Sequence, residues 1–159
     1  MAERTELRTA PAPIKAEGRT VQGYAVLYDT LADMGDFYEV VRNGALDGTL
    51  QAGRDVRALY HHDDMQLLGT TRAKTLELRS DSKGLWFSLD LPQTTYGNDL
   101  LELIKRGDVA GCSFGFIAEH DNWVEGDDKP TRELLDVTLH EITLTATPAY
   151  QDTSLALRT

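Results

Sequence analysis

Cysteine is almost absent from this sequence, since Cys112 is the one cysteine among 159 residues. A single cysteine cannot form an internal disulfide, so we expect the chain to work in a reducing compartment. No apolar run approaches the roughly 20 residues that a membrane-spanning helix needs, and the polar first residues lack the apolar stretch of a signal peptide. These absences argue against a disulfide-stabilised extracellular domain and against a membrane protein.

Basic residues are also scarce, with 16 Lys and Arg against 26 Asp and Glu and a formal net charge of -10. An acidic surface repels the phosphates of nucleic acids, so binding to DNA or RNA is disfavoured. We therefore expect a protein or a small molecule as partner. Charge alone does not distinguish between these two.

Residues 1–17 are polar, contain Pro11 and Pro13 and show no apolar period. They are predicted to form a flexible N-terminal arm. Residues 18–159 contain no internal repeat and no linker-like segment, and 41% of the whole sequence is hydrophobic. The remainder of the chain is therefore predicted to fold as a single domain with one core.

Within this domain, apolar residues recur mostly at every second position, which is the period of a β-strand. Strands are predicted at 21–28, 37–41, 54–61, 71–79, 85–91, 109–119 and 133–145. The turn residues 81–84 predict a hairpin between the fourth and the fifth of these strands. Helices are predicted from Asn98 to Gly107, at 45–52 and at 153–158. The pattern indicates a mostly β, α+β fold, a barrel or sandwich core with a few helices.

The run Gly111-Cys112-Ser113-Phe114-Gly115-Phe116 contains the first candidate for chemistry. In a strand, Cys112 and the two phenylalanines lie on one face, and Ser113 lies between the glycines on the other. Glycines on both sides allow a substrate to approach the hydroxyl, as an acyl-transfer nucleophile requires. The alternative is a face of small residues packed beneath a helix.

Histidines follow a predicted strand in Tyr60-His61-His62-Asp63-Asp64. A histidine can act as general base toward a serine, and only one of two neighbouring strand residues can face Ser113. Solvated loop histidines are one alternative. A metal site is another, with ligands drawn from His62, Asp63 or Asp64, His120 and Glu141, although no helical pair of histidines supports it.

An acid continues an apolar face in the last long strand, where strict alternation places Leu135, Val137, Leu139 and Glu141 on the same side. Burying a carboxylate is costly unless a cation or a hydrogen-bond donor meets it, and a histidine that becomes imidazolium is such a partner. Alternatively, Glu141 lies at the rim, or a bulge turns it to the other face. A bulge would exchange the two faces, so His140 competes for the same orienting role.

Four segments, in this order, resemble the prohead maturation protease family of tailed phages. They are Gly23–Tyr28 followed by Glu39–Leu46, His62-Asp63 with Leu68-Gly69, Gly111–Phe116, and Leu139–Leu144 with Pro148-Ala149. The resemblance covers most of the chain. Two positions depart from the family pattern, because Thr70 stands in place of the usual arginine and Thr143 in place of the more usual serine.

The resemblance implies a serine endopeptidase with His62 as base, Ser113 as nucleophile and Glu141 as third member of the triad. His140 remains the alternative third member, because the related herpesvirus assemblin has a histidine in that role. The resemblance also implies an assemblin-like β-barrel surrounded by a few helices, and a homodimer. We expect no cofactor, no metal, no nucleic acid partner and no membrane association.

The implied substrates are the scaffold segment of the major capsid protein and the protease itself, inside the phage prohead in the host cytoplasm. The tripeptide Leu7-Arg8-Thr9 recurs as Leu157-Arg158-Thr159, which suggests self-cleavage as a hypothesis. A non-catalytic capsid-interaction or scaffold module on the same fold is the alternative function.

Overall fold

The computed structural model describes residues 4–10 and 13–146. This part of the chain is mostly β, as the period of two predicts, with two helices. The strands are β1 (Glu6–Ala10), β2 (Ile14–Glu17), β3 (Thr20–Leu27), β4 (Ala32–Asp33), β5 (Tyr38–Val41), β6 (Arg57–Tyr60), β7 (Asp63–Thr70), β8 (Leu76–Ser80), β9 (Gly84–Asp90), β10 (Cys112–Val124) and β11 (Thr131–Leu144); the helices are α1 (Asp47–Gln51) and α2 (Thr95–Arg106).

Strand β11 lies at the centre of a seven-stranded sheet. One side of β11 pairs antiparallel with β10, and the other side pairs in parallel with β5 and then with β6. Strand β1 extends the sheet beyond β10, β4 pairs with β5, and β7 pairs with β6. Because β6 runs parallel to the end of β11, the residues that follow β6 lie beside the last residues of β11.

A second sheet has four strands in the order β2-β3-β9-β8. Strands β8 and β9 form the hairpin that the turn residues predict. The Asp81 carboxylate accepts hydrogen bonds from the N–H groups of Lys83 and Gly84, at 2.8 and 3.0 Å, and thereby closes the turn. Predicted strand 71–79 begins later than expected, because residues 71–75 form a turn before β8.

Residues of both sheets form one hydrophobic core. Each fully buried aliphatic or aromatic side chain contributes roughly 1.5–3 kcal/mol relative to exposure to water. The fully buried large side chains are Phe87, Phe116, Leu46, Leu59, Leu76, Leu85, Leu89, Leu100, Leu134, Leu139, Ile142 and Leu144. Strands β10 and β11 supply many of them, so the strands with the candidate residues are anchored by the core on one face.

Helix α2 begins earlier than the sequence predicts. Thr94, rather than Asn98, is the N-cap, and its hydroxyl accepts a 3.0 Å hydrogen bond from the N–H of Gly97. The helix ends at Gly107, whose φ of 87° lies in the left-handed region that favours glycine. Its buried face is formed by Leu100, Leu101 and Ile104. No helix among the described residues is long and apolar enough to cross a membrane.

The N-terminal segment and the closure of the sheet differ from expectation. Residues 6–10 and 14–17 form β1 and β2, although their composition predicts a flexible arm. Each is too short to show a clear apolar period, and pairing with β10 or β3 supplies its hydrogen bonds. The described residues form two open sheets, so they do not form the closed barrel that the resemblance implies. The predicted helix at 153–158 lies outside the described residues.

Candidate active site

Strand β10 carries the candidate nucleophile near its start. Cys112, Phe114 and Phe116 belong to the core, as alternation predicts. Ser113 and Gly115 therefore lie on the opposite face of the strand. Ser113 is fully buried, and its direct neighbours across the sheet are Thr143 of β11 on one side and Thr9 of β1 on the other.

A β-bulge in β11 brings Glu141 to the face of Ser113. Gly115 pairs with Glu141 but Phe116 pairs with Leu139, so His140 is an extra residue with no counterpart in β10. One extra residue reverses the alternation, so Leu139 stays in the core while Glu141 turns to the other face. The prediction that Leu139 and Glu141 share a face is therefore wrong, and the bulge weighed as an alternative is present.

Helix α1 supports the bulge. The hydroxyl of Thr49 accepts a 3.1 Å hydrogen bond from the N–H of Leu139 and donates a 3.1 Å hydrogen bond to the carbonyl of Val137. Both backbone groups belong to the stretch of β11 that precedes the bulge. Thr49 is itself buried, so these bonds are shielded from water.

Gly115 provides the space that the Glu141 side chain occupies. A Cβ atom at position 115 would lie 3.1 Å from Cγ of Glu141 and 3.1 Å from Cδ2 of Leu7 in β1. Both distances are shorter than an ordinary carbon–carbon contact, which is about 3.5–4.0 Å. The glycine thus allows the carboxylate to lie directly beside the nucleophile strand.

The two neighbouring histidines form the turn between β6 and β7. Tyr60 pairs with Asp63, and His61 and His62 both have φ of 57°. Two successive residues with positive φ are what a type I′ hairpin turn requires, and such turns favour Asn-Gly rather than histidine. The left-handed conformation costs about 1–2 kcal/mol for each residue with a side chain, so the surrounding structure must stabilise this turn.

The two histidine rings have different surroundings. Nδ1 of His61 lies 2.9 Å from the Thr145 hydroxyl, and its ring stacks on Tyr60 with 4.6 Å between centroids. Nδ1 of His62 lies 3.8 Å from Oε2 of Glu141. This Nδ1 atom is buried and has no hydrogen-bond partner among the described residues. Of the two histidines, His62 is the one beside the acid.

The separation of His62 and Glu141 exceeds a hydrogen bond by about 0.8 Å, if about 3.0 Å is taken as typical. Both side chains are mostly shielded, with exposed fractions of 29% for His62 and 17% for Glu141. Catalytic hydrogen bonds are often long in enzymes without substrate.

The metal alternative receives no support from the side-chain positions. Among residues 4–10 and 13–146, no three histidine, cysteine, aspartate or glutamate side chains form a group that could hold an ion. His120 pairs with Asp136 in the exposed part of the β10–β11 hairpin. His62 and Glu141 lie close together, but no third residue that the metal hypothesis names joins them in such a group among the described residues.

Strand β1 lies directly beside the candidate nucleophile. Thr9 lies opposite Ser113, and the two hydroxyl oxygens are 3.3 Å apart. Leu7 lies opposite Gly115. Its Cδ2 atom would lie 3.1 Å from a Cβ at position 115, so the Leu7 side chain is on the same face of the sheet as Glu141. The segment Leu7-Arg8-Thr9, singled out in the sequence for its recurrence, is thus the segment paired with the candidate nucleophile strand.

Charged side chains fasten β1 to the body of the protein. Arg8 is buried and forms a bidentate ion pair with the buried Glu39 of β5. Arg132 of β11 binds Glu6 at 2.9 Å and Glu39 at 3.2 Å. Although burial opposes ionisation of Glu6, its hydrogen bond to Arg132 and the charges of Arg132 and Arg8 hold its pKa below the ordinary value. The cluster therefore keeps Glu6 charged and β1 attached.

Cys112 is adjacent to Ser113 in sequence but does not resemble a nucleophile. Its side chain is in the core, and burial raises the pKa of the thiol to about 12. The thiolate, which is the reactive form, is therefore scarce at neutral pH. Among these two neighbouring residues, Ser113 is the candidate that lies on the face of Glu141.

Comparison with known proteins identifies the family. The family model described as caudovirus prohead serine protease matches residues 5–159. The chain belongs to this family. Among solved structures, the bacteriophage T4 capsid assembly protease, gp21, is similar in fold, with a TM-score of 0.63 at 9% sequence identity. The match covers 93% of this chain and 100% of the T4 chain. No curated protein sequence matches significantly.

Membership in the prohead serine protease family agrees with the resemblance read from the four sequence segments. It indicates a phage serine peptidase of capsid maturation. Sequence reasoning missed two neighbours of Ser113, namely Thr9 and Thr143. The alternation Glu141-Ile142-Thr143-Leu144-Thr145 is the signal that could have indicated the second, because it places the acid and two hydroxyls on one face.

Proposed function

We propose that this prohead protease is a serine endopeptidase in which Ser113 attacks the scissile carbonyl. His62 takes the proton of the Ser113 hydroxyl and later delivers it to the leaving amine, and Glu141 stabilises the imidazolium that forms in between. The observation that carries the proposal is the bulge at His140, which turns Glu141 to the face of Ser113 and toward His62.

Three features of the site support these roles. First, the nucleophile and the acid lie on adjacent strands whose other face is fixed in the core, so their spacing is rigid. Second, the tight turn after β6 presents His62 to Glu141, while His61 binds Thr145 instead. Third, His140 is the extra residue of the bulge, so Glu141 rather than His140 is the better candidate for the third position.

We propose that β1 restricts access to Ser113 and leaves before a substrate binds, since Ser113 is fully buried and its hydroxyl lies 3.3 Å from that of Thr9. We propose that the enzyme cleaves itself near Leu7-Arg8-Thr9, because this segment already lies along the nucleophile strand. The acyl-enzyme would form on Ser113 and be hydrolysed by water, with release of the N-terminal peptide.

The other proposed substrate is the scaffold segment of the major capsid protein, inside the prohead in the host cytoplasm. We also expect the active enzyme to be a homodimer.

Co-expression with the capsid protein of the same phage tests the proposal. The wild-type chain should trim the capsid protein and shorten its own N-terminus, whereas Ser113→Ala should do neither. Cys112→Ala serves as a matched control, since it alters the neighbouring residue but leaves the hydroxyl. Equal trimming by wild type and Ser113→Ala would refute the serine mechanism. It would favour either a co-expressed host protease or the non-catalytic scaffold module.

A further inference from the structure

The left-handed turn that carries His62 is held by strand β11. The N–H of His61 donates a 3.1 Å hydrogen bond to the carbonyl of Leu144. The N–H of His62 donates a 2.9 Å hydrogen bond to the hydroxyl oxygen of Thr143. The turn is conformationally costly for histidine, so these two bonds are what keeps its backbone in the left-handed region.

The orientation of the Thr143 hydroxyl is fixed by a second hydrogen bond. Its proton is donated to the carbonyl of Leu59, at 3.1 Å, and this leaves a lone pair directed to the N–H of His62. Thr143 is fully buried, so water cannot replace either partner. The hydroxyl thus connects the backbone of Leu59, in β6, to the backbone of His62, the second residue of the turn.

Thr143 is also the residue that adjoins every member of the proposed triad. It lies directly opposite Ser113 in the β10–β11 ladder and two residues beyond Glu141 on the same face of β11. Its hydroxyl binds the backbone of His62. A displacement at Thr143 would therefore change the position of His62 relative to both the nucleophile and the acid.

We propose that Thr143 is a positioning residue, whose buried hydroxyl fixes the backbone of His62 relative to Ser113 and Glu141. This inference rests on the proposed serine mechanism, and it adds a residue that does not touch the reacting atoms. Because a misplacement of about 1 Å can cost roughly a hundredfold in rate, a single hydrogen bond at this place has a large effect on turnover.

The test compares variants of the full chain with purified capsid protein as substrate. Thr143→Val removes the hydroxyl at nearly constant volume and should lower kcat at least about tenfold, with KM little changed, because substrate contacts are not altered. Thr143→Ser retains the hydroxyl and should restore most of kcat. Thr143→Cys offers a weak hydrogen-bonding group of similar size, and its kcat should be intermediate.

Thr71, in the turn before β8, supplies a control. Its hydroxyl also bridges a backbone N–H and a backbone carbonyl, since it accepts from Val56 at 2.9 Å and donates to Arg54 at 3.2 Å. Thr71→Val should therefore also reduce thermal stability, while its kcat should remain close to that of the wild type, because both partners precede β6 and so lie at the end of that strand away from His62. If Thr143→Val does not fold, the comparison of Thr143→Ser with Thr143→Cys decides the question at the same site.

Two outcomes would overturn the inference. One is a wild-type kcat in folded Thr143→Val or in Thr143→Cys. The other is a loss of kcat in Thr71→Val as large as the loss in the Thr143 variants. Ser113→Ala distinguishes this failure from failure of the proposed function: if Ser113→Ala is inactive, the serine mechanism stands without Thr143, and if it is active, the mechanism itself is wrong.

Discussion

Gly115→Ala is expected to impair catalysis much more than folding. The added Cβ would lie 3.1 Å from Cγ of Glu141, so the acid must move by about 0.4–0.9 Å to restore an ordinary contact. Nδ1 of His62 and Oε2 of Glu141 are 3.8 Å apart, about 0.8 Å more than in a typical hydrogen bond. The movement that the added Cβ imposes on the acid is therefore about as large as the adjustment that a hydrogen bond to His62 needs. We therefore expect kcat to fall roughly ten- to a hundredfold.

The effect on stability should be small. Overpacking costs about 1–3 kcal/mol, whereas replacing glycine by alanine in a strand recovers about 0.4–1 kcal/mol from the unfolded state. The net loss in the free energy of unfolding should thus be about 1 kcal/mol. Initial rates of capsid-protein cleavage and thermal denaturation give the two quantities. Because the new Cβ would also contact Leu7, the double variant Gly115→Ala/Leu7→Ala tests whether the loss of kcat persists without that contact.

Gly23→Ala is the matched control, since a Cβ at position 23 of β3 would lie 3.0 Å from Cγ2 of Ile14, in the sheet that does not contain Ser113 and Glu141. It should lose stability but leave kcat unchanged. Wild-type kcat in Gly115→Ala, or an equal loss in Gly23→Ala, would refute the reasoning that Gly115 makes room for a catalytic acid.

Three further predictions concern β1 and Cys112. If β1 restricts access to Ser113, as proposed, a chain that begins at Pro13 should react with a fluorophosphonate at Ser113 at least about tenfold faster than the full chain. Equal rates would contradict this role of β1. The pKa of Glu6 is lowered from 4.5, so its contribution to holding β1 is present above pH 4.5 and is lost as the pH falls through the lowered pKa. Limited proteolysis with pepsin should therefore release the N-terminus increasingly below pH 4.5. A constant rate of release would argue against this role of Glu6. Burial raises the thiol pKa of Cys112 from 9.0 to about 12, so its neutral form stabilises the fold below pH 9. This stabilisation should be lost between pH 9 and 12 in the wild type but not in Cys112→Ala. Unfolding in urea at several pH values measures the difference.

Much of the larger sheet could be predicted from the sequence because its apolar residues alternate over long stretches. The pattern around Ser113 predicted the core face of β10 correctly. It failed at Glu141, because alternation counts residues and a bulge adds one without any mark in composition. The family resemblance selected Glu141 independently of that error.

The parts that were missed depend on distant partners. Strand β1 owes its place to pairing with β10 and to the ion pairs of Arg8 with Glu39, which is 31 residues away in sequence. A short polar strand of this kind has no local period to recognise. Likewise, His61-His62 carries no ordinary turn signal, since the left-handed turn is held by bonds to β11 rather than by glycine or asparagine.

The most direct test of the central claim is mass spectrometry of the chain that begins at Pro13 after reaction with a fluorophosphonate. The account predicts a single adduct, mapped to Ser113, that is absent in Ser113→Ala and forms about a hundredfold more slowly in His62→Ala. An adduct on another residue, or an undiminished rate in His62→Ala, would contradict it.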